Sequence, residues 1–292
     1  MKATGQSLSM RAFVAAVLFM TVMIISVSAQ DGDIRLLVRG DDIGSSHAAN
    51  LACIQSYREG IMRSVEVMVP CPWYKEAVVM LNENPGLDVG IHLTLTSEWE
   101  FYKWGPITQA PSLVDSKGYF LPMTSQRDDF PPNTGFRESN FDIGEVEKEL
   151  RAQIEIALNE IKNVTHISGH MGTSGSTDEL RALVEKLSKE YNLPTRVPMT
   201  GRTGRFPTGA TPSEKVDAMV TILEDLKPGT YMFVEHPGLD TSEMRSIGHK
   251  GYRDVAIDRE GVTQAFTADR VKAVIKRRGI KLVSYGDLIK EQ

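Results

Sequence analysis

Leu36-Leu37-Val38-Arg39-Gly40-Asp41-Asp42-Ile43-Gly44 is an apolar run that ends in two adjacent carboxylates and a glycine. Residues 34–38 predict a short strand that is buried on both faces. Asp41 and Asp42 then lie at the carboxyl end of this strand, where α/β sheets and barrels bind their ligands. Two carboxylates held together repel each other unless a cation or a shared proton relieves them. The pair therefore indicates either a metal site, with one aspartate as ligand and one as base, or an ordinary turn that leads into a capped helix.

Apolar strands alternate with amphipathic helices along the rest of the chain, which is typical of an α/β protein with a mainly parallel sheet. Seven strands are predicted, at 34–38, 64–69, 88–93, 164–168, 194–198, 231–234 and 280–284. Four polar strand ends then fall on one rim: Asp41-Asp42, His92, His170 and His236. A closed or nearly closed barrel brings such ends together better than an open sheet does. We therefore predict a single (β/α) barrel domain, seven-stranded and irregular, over residues 30–292.

The first 29 residues have the organisation of a secretory signal peptide. Arg11 precedes an apolar run over residues 12–25, and small residues lead up to Ala29. The apolar run is short for a helix that spans a bilayer, although an uncleaved anchor is the alternative. We expect cleavage after Ala29, export to the periplasm or the extracellular space, and no membrane association after cleavage.

The charge of the chain argues against nucleic acids and anionic membrane surfaces as partners. Lys and Arg number 33 against 38 Asp and Glu, which gives a net charge of −5. Removing residues 1–29 takes away Lys2 and Arg11 and no acids, so 31 basic side chains face 38 acidic ones, and the mature charge is about −7. Cys53 and Cys71 do not have the spacing of a metal site. An exported protein could oxidise them, but we expect two buried free thiols.

Three of the six histidines end apolar strands, as the pair of aspartates does. They are therefore expected on the same rim as that pair. A single histidine at a strand end is usually structural, but three on one rim with two carboxylates favour a metal site. Asp42, His92 and His170 would form a two-histidine, one-carboxylate site with open positions, which suits Zn²⁺ or another divalent hydrolytic metal and also non-haem iron. Asp41 would then accept a proton from the water that the metal activates, and His236 would protonate the leaving nitrogen.

Residues 97–140 have little periodicity but are rich in aromatic residues and proline. Such a long irregular stretch in a compact domain is usually functional or disordered, and its aromatic side chains argue against disorder. Flat aromatic faces above a site suit sugar rings, so Trp99 and Trp104 are candidate substrate contacts. The alternative is that these rings only pack the segment onto the body of the domain.

The order and spacing of the motifs resemble the YdjC/ChbG family of carbohydrate deacetylases, barrel proteins related to the polysaccharide deacetylases. The motifs are Arg-Gly-Asp-Asp-Ile-Gly at 39–44, Gly-Ile-His-Leu-Thr-Leu-Thr at 90–96, Glu-Leu-Arg-Ala-Gln-Ile at 149–154, Glu-His-Pro-Gly at 235–238 and Arg-Arg-Gly-Ile-Lys-Leu-Val-Ser-Tyr at 277–285. The resemblance covers nearly all of residues 34–290. It implies that Asp41 is the catalytic base and His236 a catalytic acid or substrate contact. It also implies a metal-ligand set of Asp42, His92 and His170.

The resemblance implies removal of an acetyl group from an N-acetylated sugar or oligosaccharide, with one divalent ion, Zn²⁺ or alternatively Mg²⁺. Arg253 and Arg259-Glu260 also resemble the family's C-terminal pattern, and we predict that Arg253 contacts the substrate. At its third motif the family has Asp-Ser-His and a second histidine two residues later, whereas this chain has Ser168-Gly169-His170-Met171-Gly172.

Two other activities fit the same residues. An esterase could remove O-acetyl groups from carbohydrate with the same site, and a catalytically silent barrel could bind sugar without turnover. A silent barrel has no need of both Asp41 and His236, so their presence favours an enzyme. The expected partner is an acetylated sugar or oligosaccharide, and a homodimer is compatible with the sequence.

Overall fold

Seven strands, all paired in parallel, form the central sheet of the protein in the computed structural model, which describes residues 32–292. The strands are β1 (Ile34–Ile43), β2 (Ser64–Val67), β3 (Asp88–Leu93), β4 (Val164–Gly169), β5 (Gly201–Arg202), β6 (Gly229–Glu235) and β7 (Lys281–Val283). The helices are α1 (His47–Arg58), α2 (Tyr74–Asn82), α3 (Ile143–Glu160), α4 (Asp178–Glu190), α5 (Pro212–Asp225), α6 (Val255–Thr267), α7 (Asp269–Arg278) and α8 (Tyr285–Lys290). None of the helices in this part of the chain is long and apolar enough to cross a bilayer. The predicted signal peptide, residues 1–29, lies outside the described residues.

Strand β1 lies at the centre of the sheet, whose order is β4-β3-β2-β1-β6-β5, with β7 beside the first half of β1. Successive side chains of a strand point to opposite faces. Leu36 and Val38 therefore pack into the main core, whereas Leu37 packs into a smaller cluster with Met232 and Tyr285. All three β1 side chains are fully buried. The predicted α/β class with a parallel sheet is confirmed.

The sheet stays open between its edge strands β4 and β5. Within residues 32–292 no strand pairing joins them, so the sheet forms a half-barrel. The predicted barrel of seven strands, closed or nearly closed, is not confirmed. The predicted strand at 194–198 does not form, because Pro194 and Pro198 lack the N–H groups that a ladder needs. The carbonyl oxygen of Pro194 accepts one hydrogen bond from Ile167 N (3.2 Å). Gly201–Arg202 pairs with β6 instead.

The C-terminal helices differ from the prediction. The sequence predicts one helix over 267–278, which corresponds to α7. The structure has a further helix, α6, before it, and the extended residue Ala268 separates the two. Helix α6 escapes the sequence pattern because Gly261 and several charged residues interrupt its apolar stripe. Its side chains Val262 and Phe266 are nevertheless buried in the core.

The irregular segment 97–140 packs onto the body of the protein. The fully buried carboxylate of Glu149 in α3 anchors it by accepting hydrogen bonds from the backbone N–H and the hydroxyl of Thr108 (3.0 and 2.7 Å). Trp99 and Trp104 are only 4% and 3% exposed. This burial favours packing, the alternative to sugar stacking, for both rings.

Both cysteines are buried free thiols, as the sequence predicts. Burial raises the pKa of the Cys53 thiol, and the nearby Asp42 carboxylate adds to this shift. Burial likewise raises the pKa of the Cys71 thiol, which also faces the charge of Glu98. Neither thiol is therefore available as a thiolate nucleophile at neutral pH.

Candidate metal centre

The two aspartates lie within β1, two residues and one residue before its last residue Ile43, rather than after the strand. Asp42 has a φ of 77°, a left-handed conformation that is uncommon for a residue with a side chain. The pairing of β1 with β2 shifts its register between Gly40 and Ile43. In a regular strand, neighbouring side chains would point to opposite faces. Because of this break, Asp41 Oδ2 and Asp42 Oδ1 both lie close to His92 Nε2, at 3.8 and 3.7 Å.

Asp42, His92 and His170 converge on one point. One potential ligand atom from each lies within 4.8 Å of the other two, and Asp42 Oδ1 is 3.4 Å from His170 Nδ1. The three residues are only 2–3% exposed. Asp42 Oδ1 is buried and has no hydrogen-bond partner. A buried carboxylate oxygen without a partner is costly, and a cation between these three side chains would satisfy it. The residues therefore fit a divalent metal ion.

Each histidine has its remaining ring nitrogen occupied by a neighbour, as is usual for metal-ligating histidines. His92 Nδ1 lies 2.7 Å from Ser168 Oγ, and His170 Nε2 lies 2.9 Å from Glu98 Oε2. These contacts leave Nε2 of His92 and Nδ1 of His170 facing Asp42. The two rings meet edge to face, with centroids 5.3 Å apart.

The charges around the centre hold its groups in defined protonation states. Burial lowers the pKa of His92, and the Asp41 carboxylate only partly opposes this shift. Burial would also lower the pKa of His170, but the carboxylates of Glu98 and Asp42 outweigh it and raise the pKa to about 10. A proton therefore competes with a metal ion for His170, so metal binding must release it.

Two buried arginines hold the two aspartates separately. Arg39 Nη2 donates to Asp41 Oδ2 at 2.9 Å, and Arg39 Nε lies 2.8 Å from Oδ1. Arg259 Nη2 donates to Asp42 Oδ2 at 2.9 Å. Burial would raise the pKa of Asp42, but the charges of His236 and Arg259 outweigh it and hold the pKa well below its usual range. Asp42 is therefore ionised, with Oδ2 on Arg259 and with Oδ1 facing His170 Nδ1 at 3.4 Å without a hydrogen bond.

His236 follows β6 on the same rim as the aspartates. Its side chain is 42% exposed, and its Nδ1 lies 3.8 Å from Glu235 Oε2. Partial burial of the ring would lower the pKa of His236, but the charge of Asp42 and the contact with Glu235 outweigh this effect and raise it. His236 is thus the accessible, protonatable group of the centre.

The three candidate substrate contacts have different surroundings. The Trp104 ring lies edge to face against His170, with centroids 6.2 Å apart. The Trp99 ring lies under the guanidinium of Arg259, with 5.3 Å between the Arg259 Cζ and the ring centroid. Both tryptophans therefore form the walls of the centre. The Arg253 side chain is 57% exposed and forms an ion pair with Glu100.

A family model described as YdjC-like protein matches residues 35–277. The chain belongs to this family. It is 28% identical over 273 residues to a carbohydrate deacetylase of Brevibacillus brevis, which covers 87% of this chain and 99% of that protein. It is 30% identical over 236 residues to a carbohydrate deacetylase of Thermus thermophilus, which covers 73% of this chain and 80% of that protein. The resemblance that the sequence motifs indicate is thus confirmed.

The fold is also similar to a solved structure. A crystal structure from Enterococcus faecalis, provisionally described as a cellobiose-phosphate cleavage protein, superposes with a TM-score of 0.71. The two chains are 22% identical, and the match covers 88% of this chain and 99% of that one. At this identity the likeness supports the fold alone.

Sequence reasoning missed Glu98 and the role of Arg259. Glu98 lies in the irregular segment, 72 residues before its partner His170. Arg259 lies on α6, the helix that the pattern does not predict, 217 residues after its partner Asp42. No local signal links either residue to the centre. A buried charge, however, needs a partner. Glu98 supplies one for His170, and Arg259 supplies one for Asp42.

Proposed function

We propose that this protein is a metal-dependent carbohydrate deacetylase, a hydrolase that removes the N-acetyl group of an amino sugar or oligosaccharide. The observation that carries the proposal is the convergence of Asp42, His92 and His170 on one point. The Asp42 oxygen at that point, Oδ1, is buried and has no hydrogen bond. The carbohydrate deacetylases among its relatives support the reaction class. Asp41 and His236, which the metal ligands do not need, supply a base and an acid on the same rim.

The donor set favours Zn²⁺ over Mg²⁺. Two imidazole nitrogens and one carboxylate are typical ligands of a catalytic zinc with open positions, whereas Mg²⁺ prefers oxygen ligands and octahedral geometry. We infer that Asp42 Oδ1, His92 Nε2 and His170 Nδ1 would hold the ion. An ion bound there would lower the pKa of a water molecule and polarise the acetyl carbonyl.

The protein's own residues would then move the protons. Asp41 accepts the proton of the attacking water, and Arg39 fixes its orientation through both carboxylate oxygens. Asp41 is 5% exposed, so bulk water competes little for this carboxylate. His236 donates a proton to the leaving nitrogen, because its pKa is raised and its ring is accessible. Each role is that of a positioned acid or base beside the reacting bond.

The exposed side of the centre is where a sugar would bind. Arg253 is the accessible residue among the three predicted contacts, and we propose that it contacts the substrate once it leaves Glu100. Trp99 and Trp104 are buried, so we propose that they shape the walls of the site instead of stacking on the sugar.

An acetate-release screen tests this function. Purified protein, analysed for bound metal, is assayed on N-acetylated chitooligosaccharides and on O-acetylated xylans. The proposal predicts acetate from the chitooligosaccharides and loss of activity after metal removal. Acetate from the xylans alone would instead favour the esterase, and binding without turnover on either substrate would favour the silent sugar-binding barrel.

We also propose that the protein is exported after cleavage behind Ala29. The basis is the signal-peptide pattern of residues 1–29. Mass spectrometry of the exported protein should find Gln30 as the first residue. An intact start at Met1 would indicate an uncleaved anchor.

A further inference from the structure

A second polar cluster lies in the sheet next to the metal centre. It consists of Glu66 on β2 with His166 and Ser168 on β4. Glu66 and His166 are fully buried. Glu66 Oε1 lies 2.7 Å from His166 Nε2, and the Ser168 hydroxyl donates to Glu66 Oε2. Both carboxylate oxygens of Glu66 therefore have a partner, as a buried carboxylate requires.

The sheet makes room for this cluster at Gly90. Glu66, Gly90 and His166 stand at the same register on three adjacent strands, β2, β3 and β4. A Cβ atom at Gly90 would collide with both the Glu66 carboxylate and the His166 ring. The absence of a side chain on the middle strand thus lets Glu66 reach across β3 to β4. Such a crossing is a specific arrangement, since glycine weakens a strand interior.

The cluster connects directly to a candidate metal ligand. The Ser168 hydroxyl donates its hydrogen to Glu66, so its oxygen is free to accept from His92 Nδ1 at 2.7 Å. This direction places the His92 proton on Nδ1 and leaves the lone pair on Nε2. His92 Nε2 is the nitrogen that faces Asp42 Oδ1 at 3.7 Å.

We propose that Glu66 and Ser168 are positioning residues that fix the tautomer and orientation of His92 for metal binding. The chain runs from the Glu66 carboxylate through the Ser168 hydroxyl to His92 Nδ1. Metal-ligating histidines commonly donate their other ring N–H to a carboxylate, a backbone carbonyl or water, and here a hydroxyl stands between His92 and the carboxylate. The proposal rests on the metal centre of the proposed function. The competing explanation is that the cluster only satisfies buried polar groups of the core.

Two variants at position 168 separate these explanations. Ser168→Thr keeps the hydroxyl, whereas Ser168→Val has nearly the same shape and lacks it. Loss of an outer-shell partner of a metal ligand typically weakens metal binding by about 10–100-fold. We therefore expect Ser168→Val to raise the Zn²⁺ dissociation constant by about this factor and Ser168→Thr to stay close to the original protein. The measurement is competition with a chromophoric chelator on metal-free protein.

A double-mutant cycle then tests whether Glu66 acts through Ser168. Glu66→Gln alone should weaken Zn²⁺ binding, because the charge that orients the hydroxyl is lost. In the Ser168→Val background the same change should have no further effect on Zn²⁺ affinity, since the connection to His92 is already broken. Additive losses would contradict the relay and favour a general effect on the core. If Ser168→Val does not fold, Glu66→Gln with unchanged Zn²⁺ affinity would be sufficient to overturn the proposal.

The tautomer of His92 gives a readout that needs no metal. Long-range ¹H–¹⁵N spectra of metal-free protein, assigned with a His92→Gln variant, should show the proton of His92 on Nδ1. Ser168→Val should lose this preference and Ser168→Thr should retain it. A His92 proton on Nε2 in the original protein would overturn the relay. Failure of the original protein to bind Zn²⁺ would contradict the proposed metal centre, while the tautomer would still decide the relay.

Discussion

Asp42 and Asp88 are buried carboxylates at opposite ends of the strands of one parallel sheet, and the groups around them differ. Asp88 begins β3 and accepts hydrogen bonds from Ser64 Oγ and Thr165 Oγ, both at 2.7 Å, and from Gly286 N at 3.2 Å. Asp42 lies near the carboxyl end of β1, where one of its oxygens has no hydrogen-bond partner. In α/β folds the carboxyl edge carries function and the amino edge stability. Asp42 Oδ1, without a hydrogen bond and flanked by His92 and His170, therefore has the surroundings of a ligand site.

The largest effect should come from removing the Asp42 carboxylate. Asp42→Ala should abolish both metal binding and deacetylation, because two histidines remain and Arg259 loses its buried partner. Metal content by mass spectrometry and acetate release measure the two properties. If Asp42→Ala protein kept a full equivalent of metal, Asp42 would not be a metal ligand and would not differ from Asp88 in this respect.

The neighbouring aspartate should separate metal binding from turnover. Asp41→Asn preserves the shape of the side chain and removes a negative charge that the proposed ligand set does not need. We expect the metal to remain and the rate to fall by about 10²–10⁴-fold, the usual scale for a positioned proton acceptor. Metal content and kcat are measured on the same preparation. An Asp41→Asn protein that is fully active, or that lacks metal, would show that the roles of the two aspartates are reversed.

The pH dependence should report His236. Its pKa is raised by the charge of Asp42, so His236 stays protonated to a higher pH than a free histidine and loses its proton as the pH rises through the raised pKa. A general acid acts in its protonated form, and the rate should therefore fall on the alkaline side. His236→Gln should lower kcat by about 10²-fold and remove this alkaline limb. An unchanged alkaline limb in the variant would assign it to another group.

The smallest effect on function should come from Asp88. Asp88→Asn places an amide N–H₂ group against at least one of the three donors, which leaves a buried polar group badly paired. We expect the free energy of unfolding to fall by about 1–3 kcal/mol, with metal content and kcat unchanged. Urea denaturation measures the free energy of unfolding, mass spectrometry the metal content, and the acetate assay kcat. A loss of metal in Asp88→Asn would mean that the two edges of the sheet are not independent.

The convergence on the rim could be predicted because it follows from the sheet. Parallel strands bring their carboxyl ends to one edge, so an aspartate and two histidines that end predicted strands were expected to meet. The structure brings Asp42, His92 and His170 together at that edge. The left-handed backbone of Asp42, which aims both aspartates at the same place, has no signature in the sequence.

Contacts between distant parts of the chain could not be predicted. Glu98 and Arg259 reach the centre from segments that carry no periodic pattern. Glu66 lies in the predicted strand 64–69, but no local signal links it to Ser168, 102 residues later. The motif comparison shows Ser168 where the family has an acid, but only the packing of β2 against β4 across Gly90 shows that the Glu66 carboxylate lies beside it. A closed or nearly closed barrel was expected because it would bring the polar strand ends together, but the sheet stays open. Pro194 and Pro198 prevent the predicted strand at 194–198 from forming.

Crystals of the metal-free protein soaked in Zn²⁺, with anomalous diffraction recorded at the zinc edge, would show whether Asp42, His92 and His170 bind a metal ion. The predicted result is one strong peak at about 2.0–2.2 Å from Asp42 Oδ1, His92 Nε2 and His170 Nδ1. Asp88, with its oxygens already bonded, should show none. A peak at other side chains, or a centre that stays empty in fully soaked crystals, would show that these three residues are not a metal site.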